Sequence, residues 1–237
     1  MPDMNWLTRP FGGAPRLNSD QARRLEAWRR LPDADLKVGI DQSRYVVVDV
    51  ETSGLNLDKD KLIAIGAVAV VEGRIALADS LDIVLQQDTP STKENVLIHG
   101  IGHGAQCAGL PPAEGLLAFL EYIGKSPLVA YHVTFDRTMI CRALRTHLGL
   151  KCRPPWVDLA HVAPALYPEL ARQYNGLDNW ASHFGIINYA RHSALADALA
   201  TSELFLALRP QLRARQAESF RGMEYLEQER RMRANSF

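Results

Sequence analysis

Apolar residues along this chain fall in short runs and in helical stripes, and their order predicts a mixed α/β domain. Residues 45–51, 62–71 and 75–85 are three runs rich in β-branched residues, the last two joined by Glu72-Gly73-Arg74, a hairpin signal. They should form three adjacent strands with the second antiparallel to its neighbours. Short apolar runs at 128–131 and 156–159 read as a fourth and a fifth strand. Helical stripes cover 113–123 and 137–148, helical segments follow to Phe184, and a long helix starts near Ser193 and continues through Leu199, Leu204, Phe205 and Leu208. Near the start, Asn18 and Ser19 suit the cap of a helix that Pro32 stops, with Leu25, Trp28 and Leu31 on one stripe. Pro210 breaks the last apolar helix, and a polar amphipathic one resumes over 211–233. Residues 86–111 read as one long loop, and loops of that length are usually functional. Gly100, Gly102 and Gly104 argue against a helix there. They also argue against a zinc helix through His99, His103 and Cys107, despite the i, i+4 spacing.

Two acids break the first of these runs. In Tyr45-Val46-Val47-Val48-Asp49-Val50-Glu51, the flanking residues suit a strand buried on both faces. A carboxylate in such a strand is costly unless paired, hydrogen-bonded or bound to a metal. Side chains two apart share one face, about 6.5–7 Å apart along the axis. Acids that close in an apolar setting raise each other's pKa, and a divalent cation would relieve the repulsion. The plainer alternative is a pair of acids fraying out at the strand end, beside the turn Thr52-Ser53-Gly54.

Further acids stand in comparable places. Asp136 follows the fourth strand within His132-Val133-Thr134-Phe135-Asp136, where the strand gives way to a helix. Ligand sites in open α/β sheets gather at such strand ends. Asp197 lies about one turn into the long helix that His192 precedes, beside Ala194, Ala200 and Thr201, a small-residue face suited to packing closely on a sheet.

Taken in order, Asp49-x-Glu51-Thr52-Ser53-Gly54-Leu55, Ile98-His99-Gly100-Ile101, Ala130-Tyr131-His132-x-x-Phe135-Asp136 and His192-x-x-x-x-Asp197 resemble the motifs of the DEDDh 3′–5′ exonucleases. This is the DnaQ-like family of the proofreading epsilon subunit of bacterial DNA polymerase III. Each motif alone is weak, and the ordered set is specific; the resemblance covers about residues 45–208. It implies an α/β, ribonuclease H-like mixed five-stranded sheet, with a three-strand meander plus parallel strands flanked by helices. It also implies that Asp49, Glu51, Asp136 and Asp197 bind two divalent cations, Mg²⁺ or Mn²⁺, and that His192 is the general base. Thr52, Leu55, His99 and Phe135 match positions that line the pocket for the terminal nucleotide, although Leu55 and Phe135 would equally suit a core. Where many relatives have His-Asn in the second motif, this chain has Tyr131-His132, which bears on how Asp136 is oriented.

Composition adds bounds. The 237 residues can hold one domain with extensions, here 1–44 as an N-terminal helical extension, 45–208 as the exonuclease domain and 209–237 as an Arg-rich helical tail. The zero net charge conceals an uneven spread: residues 45–208 carry 12 Lys/Arg against 17 Asp/Glu, whereas the tail carries seven Arg against four Glu. An acidic body suits a metal site and disfavours tight non-specific binding to duplex DNA. The tail arginines are either a solvated face or an aid to holding nucleic acid. The three cysteines, Cys107, Cys141 and Cys152, make no C-x-x-C pair, and no signal peptide or membrane span is visible, so a cytoplasmic protein is expected.

The expected activity is removal of nucleoside 5′-monophosphates from the 3′ end of single-stranded or frayed DNA. The alternatives are an RNA-trimming relative of the oligoribonuclease or ribonuclease T kind, and an inactive interaction module. Expected partners are single-stranded 3′ ends, DNA over RNA. A DNA polymerase, a sliding clamp and a second copy in a homodimer stay open, the clamp because Gln216-Ala217-Glu218-Ser219-Phe220 loosely resembles a clamp-binding peptide.

Overall fold

The acid-bearing run lies at the centre of the sheet. In a computed structural model, which describes residues 15–234, the strands are β1 (Arg44–Thr52), β2 (Leu62–Val71), β3 (Arg74–Val84), β4 (Leu128–Ala130) and β5 (Trp156–Asp158). They assemble in the order β3-β2-β1-β4-β5. The β1–β2 and β2–β3 pairs are antiparallel, and the β1–β4 and β4–β5 pairs are parallel, which is the mixed five-stranded sheet expected. Glu72 and Gly73 both have positive φ, 50° and 72°, the mirror-type two-residue turn whose twist matches that of its strands. Arg74, read as part of that turn, is therefore already in β3, opposite Val71.

Helices cover both faces: α1 (Ser19–Arg29), α2 (Lys93–His99), α3 (His103–Cys107), α4 (Pro112–Ile123), α5 (Val133–Leu148), α6 (Leu159–Leu166), α7 (Leu177–His183), α8 (Ala194–Ala207), α9 (Arg209–Ala214) and α10 (Phe220–Ala234). Alternation along β1 divides the core in two. Val46, Val48 and Val50 pack with Leu116, Phe119 and Leu120 of α4 and with Met139, Ile140 and Leu144 of α5. Tyr45 and Val47 pack on the other face with Leu204 and Phe205 of α8, Val162 of α6 and Met223 of α10. The helix expected near the N-terminus is α1. Asn18 caps it, Leu25 and Trp28 are buried, and the Arg24 guanidinium forks onto Glu121 with both bonds at 2.7 Å. Leu31, placed on the same stripe, is exposed because the helix ends before it.

Three expectations need correction. Residues 86–111 contain two short helices. Gly100 ends α2 in the left-handed region (φ 71°), Gly102 precedes α3, and the buried Gln106 ties α3 down by donating to the Ser91 hydroxyl and the Ile101 carbonyl. The glycines thus delimit helices instead of preventing them, and His99 and His103 end up on different ones. The helix after β4 begins at Val133, earlier than the expected 137. A left-handed His132 (φ 69°) turns the chain at once, and its N–H donates to the Asp158 carboxylate at 3.0 Å. Finally, residues 211–233 form two helices broken around a left-handed Gln216 (φ 55°). Phe220, Met223 and Leu226 of that stretch are buried, so it is more than a polar surface helix. In the clamp-like peptide, Ala217 and Phe220 are both buried, so those side chains are not free to enter a partner. Among the described residues no helix is long and apolar enough to cross a membrane.

One glycine brings α8 onto the sheet. Gly66 pairs with Asp49 across the β1–β2 ladder, so the two positions share a face. A Cβ at Gly66 would overlap the backbone of Ala194 and Leu195, the first residues of α8. An isolated glycine inside a strand marks such a close backbone approach. Gly66→Ala should therefore cost about 1–3 kcal/mol of stability, a Tm loss on the order of 2–12 °C, by pushing α8 outward. Thermal denaturation checks it, and a variant as stable as the wild type would show that α8 yields without cost.

Candidate active site

Asp49 and Glu51 point to the face of β1 that α8 covers, because alternation puts them in line with Tyr45 and Val47. Asp197 lies in the first turn of α8, directly above. Ligand oxygens of Asp49, Glu51 and Asp197 all lie within 4.8 Å of one another. Asp197 is buried and held from three directions. Arg191 Nη1 donates to it at 2.8 Å, the His192 N–H donates at 2.9 Å, and the Asn188 amide donates to the same oxygen as Arg191. Arg191 also reaches Asp178 of α7 at 3.0 Å, which anchors the loop before α8.

Asp136 arrives from the other side of the sheet. The Val46 N–H donates to the Pro127 carbonyl at 3.0 Å, so every second N–H of β1 points toward β4. Because β4 stops at Ala130, the Val50 N–H finds no strand carbonyl and meets the Asp136 carboxylate instead, which favours its ionised form. Asp136 is buried in the first turn of α5, and its charge is the strongest that Asp49 feels. Asp158, buried at the end of β5, accepts from the His132 and Ala160 N–H groups, each at 3.0 Å. Its own N–H donates to Glu227 of α10 at 2.7 Å, so the C-terminal helix braces the strand end beside Asp136.

The four acids do not stabilise one another. Burial pushes the Asp49 carboxyl well above the usual carboxylate range, and the charges of Asp136, Asp197 and Glu51 push the same way against Arg191. Burial and Asp197 raise Glu51 to about 8. Burial raises Asp136, with Asp158 and Glu51 adding to it and the Val50 and Asp136 N–H groups opposing. A crowded all-oxygen donor set of this kind fits hard divalent cations, whose charge would offset the elevation.

The other expected residues vary. The His192 side chain is exposed, in a left-handed turn (φ 62°); its backbone touches Asp197, and its ring is not among the groups within 4.8 Å. Leu55 is 86% exposed, which rules out a core role and leaves its side chain free on the turn beyond Glu51. Phe135 is half-buried against the α4–α5 side of the core, so it serves partly as core. The Thr52 hydroxyl donates to the Gly54 carbonyl at 2.7 Å. His99 is buried, with Nδ1 accepting from the Ile101 N–H at 3.0 Å, and its helix is tied to the site turn by the Asn95 amide on the Ser53 carbonyl. Sequence reasoning missed Arg191, Asn188, Asp158 and Asp60. Asp60 accepts from the Ser53 hydroxyl at 2.9 Å and the Asn56 N–H at 2.7 Å and so shapes the turn. None of the four stands in a distinctive pattern; only Gly66, a glycine inside an apolar strand, carried a readable signal.

Comparison with known proteins agrees with this geometry. A family model described as exonuclease (RNase T) matches residues 46–205. The DNA polymerase III subunit epsilon of Aquifex aeolicus is 30% identical over 169 residues, covering 71% of this chain and 81% of that protein. A DNA polymerase III subunit epsilon-like protein of Rhodobacter capsulatus is 29% identical over 76% of this chain, which spans only 26% of the relative's length. A PolC-type DNA polymerase III of Clostridium perfringens is 33% identical over 68% of this chain, which spans 11% of it. Among solved structures, E. coli Exonuclease I in complex with a dT13 oligonucleotide shares the fold, with a TM-score of 0.63 and 19% identity over 73% of this chain and 42% of that one. Exonuclease X in complex with 5′ overhanging duplex DNA has a TM-score of 0.59 and 18% identity over 77% of this chain and 99% of that one. The sheet order, the converging acids and a family match over most of its length together place this chain in the RNase T exonuclease family, the DnaQ-like group that its motifs resemble.

Proposed function

We propose that this exonuclease is a divalent-cation-dependent enzyme that removes nucleotides from unpaired 3′ ends of DNA. The observation that carries this reading is the convergence of Asp49, Glu51 and Asp197 within 4.8 Å, with Asp136 beside them. The names of the epsilon-type relatives and the dT13 bound to E. coli Exonuclease I support DNA over RNA and a setting in replication or repair. Asp49, Glu51, Asp136 and Asp197 would hold two cations, Mg²⁺ or Mn²⁺, which when bound offset the charge of the scissile phosphate and acidify water. His192, exposed at the rim, takes the proton from the attacking water. Its N–H on Asp197 ties the position of this base to the acidic cluster. The water oxygen bonds to phosphorus, the bond to the 3′-oxygen of the preceding nucleotide breaks, and a nucleoside 5′-monophosphate leaves. Leu55, Phe135, His99 and the Thr52 backbone bound the terminal nucleotide. Apolar packing of this kind reads no base edge, so the enzyme should accept any sequence.

Two outcomes are expected. Asp49→Ala should nearly abolish hydrolysis of a single strand in Mg²⁺ or Mn²⁺ while the protein stays folded. His192→Ala should lose on the order of 10²–10⁴-fold at neutral pH with cation binding largely kept. Full turnover of Asp49→Ala, or full activity in excess EDTA, contradicts the reading.

Polarity has its own test. A 5′-labelled single strand should give a ladder shortening from the 3′ side, a 3′-phosphate should block it, and a circular strand should survive. Rapid cutting of the circle would mean an endonuclease.

The raised carboxyls also set a pH dependence for the cation-free protein. Glu51 has a folded-state value of about 8 against an ordinary 4.5, so the folded state binds its proton more tightly than the unfolded state does. The stability this contributes is present below about pH 4.5 and is lost as pH rises toward 8. In EDTA, wild-type stability should therefore fall across this window more steeply than that of Glu51→Gln, as read by denaturant unfolding at several pH values. Parallel curves would show that Glu51 is not held protonated.

A further inference from the structure

Basic side chains in this structure are not all paired. Many are matched to acids: Arg24 to Glu114 and Glu121, Arg44 to Asp79, Arg191 to Asp178 and Asp197, and Arg213 to Asp41 and Glu218. Arg137, Arg145, Lys151 and Arg153 are exposed, and among the described residues none of them forms an ion pair. Residues 137–153 hold five basic residues and no acid, inside a 45–208 span whose net charge is −5.

These side chains line one groove of about 690 Å³. One wall is α5, where Arg137 and Arg145 stand eight residues apart, about 80° around the helix and about 12 Å along its axis. The loop leaving α5 adds Lys151 and Arg153, and the opposite wall is the turn beyond Leu55, at Leu57 and Asp58. Arg142 links the walls by donating to the Leu57 carbonyl. None of the four acids lines the groove itself; its Arg137 directly follows Asp136 on α5, which runs from there away from the cluster. A row of uncompensated cations leading away from such a site fits a ligand with regularly spaced negative charges.

We propose that this groove carries the sugar-phosphate backbone of the strand leading into the site, several nucleotides upstream of its 3′ end. The inference rests on the proposed function, and it adds where the rest of the substrate lies. Phosphate contacts position a strand without reading its sequence and make binding salt-dependent. An acidic body would otherwise repel a polyanion, so attraction concentrated along α5 also orients the strand with its end toward the acids.

The test is fluorescence anisotropy of a labelled single strand of about 20 nucleotides with the full chain in EDTA, where binding is read without cleavage. Arg145→Ala/Lys151→Ala/Arg153→Ala should weaken binding by at least about tenfold at low salt. It should also flatten the dependence of log Kd on log salt by about 2, since each phosphate contact on a single strand contributes about 0.7. A control of equal charge on α1, Arg23→Ala/Arg29→Ala/Arg30→Ala, should leave both quantities within about twofold of wild type. An unchanged groove variant, equal losses in both triple variants, or no binding by the wild type would overturn the proposal. Because anisotropy needs no turnover, failure of the wild type to shorten the strand in Mn²⁺ would strike the proposed activity and leave the binding result to decide the groove.

Discussion

Four carboxylates that repel one another meet at one end of a buried sheet, and the rest of the structure holds them there. Left to themselves they would move apart, and burial together with their mutual repulsion raises Asp49 well above the usual carboxylate range and Glu51 to about 8. Separation is prevented by covalent and packing constraints distant from the charges. Asp49 and Glu51 are fixed by the β1–β2 ladder, which pairs them with Gly66 and Ala64. Asp197 is fixed because α8 lies directly on Gly66, with Ala194 buried against the sheet. Asp136 is fixed by the early stop of β4, which leaves the Val50 N–H for its carboxylate. Folding energy from the two apolar cores thus holds the acids in an arrangement that a cation could satisfy.

The protein's own groups offset part of this repulsion. Arg191 occupies Asp197 at 2.8 Å while reaching Asp178, and the Asn188 amide and His192 N–H complete the set. Arg191 pairs with Asp197 and also lowers Asp49 and Glu51, whose elevation comes first from burial and then from the neighbouring acids. The same loop carries His192, whose N–H bond to Asp197 links the group proposed as base to the acid beside it.

Much of the fold was legible because β1 and β2 are long and apolar enough to exclude other readings, and because the acids stand out inside apolar runs. Asp49 and Glu51 could be read as neighbours from two-residue alternation alone. The convergence of Asp197 and Asp136 on them could not, since it depends on the approach of α8 at Gly66 and on where β4 ends. The misread segments share a physical cause. In 86–111, glycines at helix ends were taken for helix breakers, while Gln106 and Thr92 supply the bonds that let two short helices persist. In the tail, the apolar positions Phe220, Met223 and Leu226 were outweighed by arginines that pair at the surface. Arg191 and Asn188 were out of reach because their role is tertiary and their spacing is ordinary.

Calorimetric titration of the full chain with Mn²⁺ at pH 7 tests the proposed cation site most directly, because burial and repulsion favour the protonated forms of Asp49 and Glu51 in the absence of a cation. Performed in two buffers of different ionisation enthalpy, it should show saturable binding with release of at least about one proton, because Glu51 and Asp49 must ionise to bind. Absence of saturable binding, or binding without proton release, would contradict it.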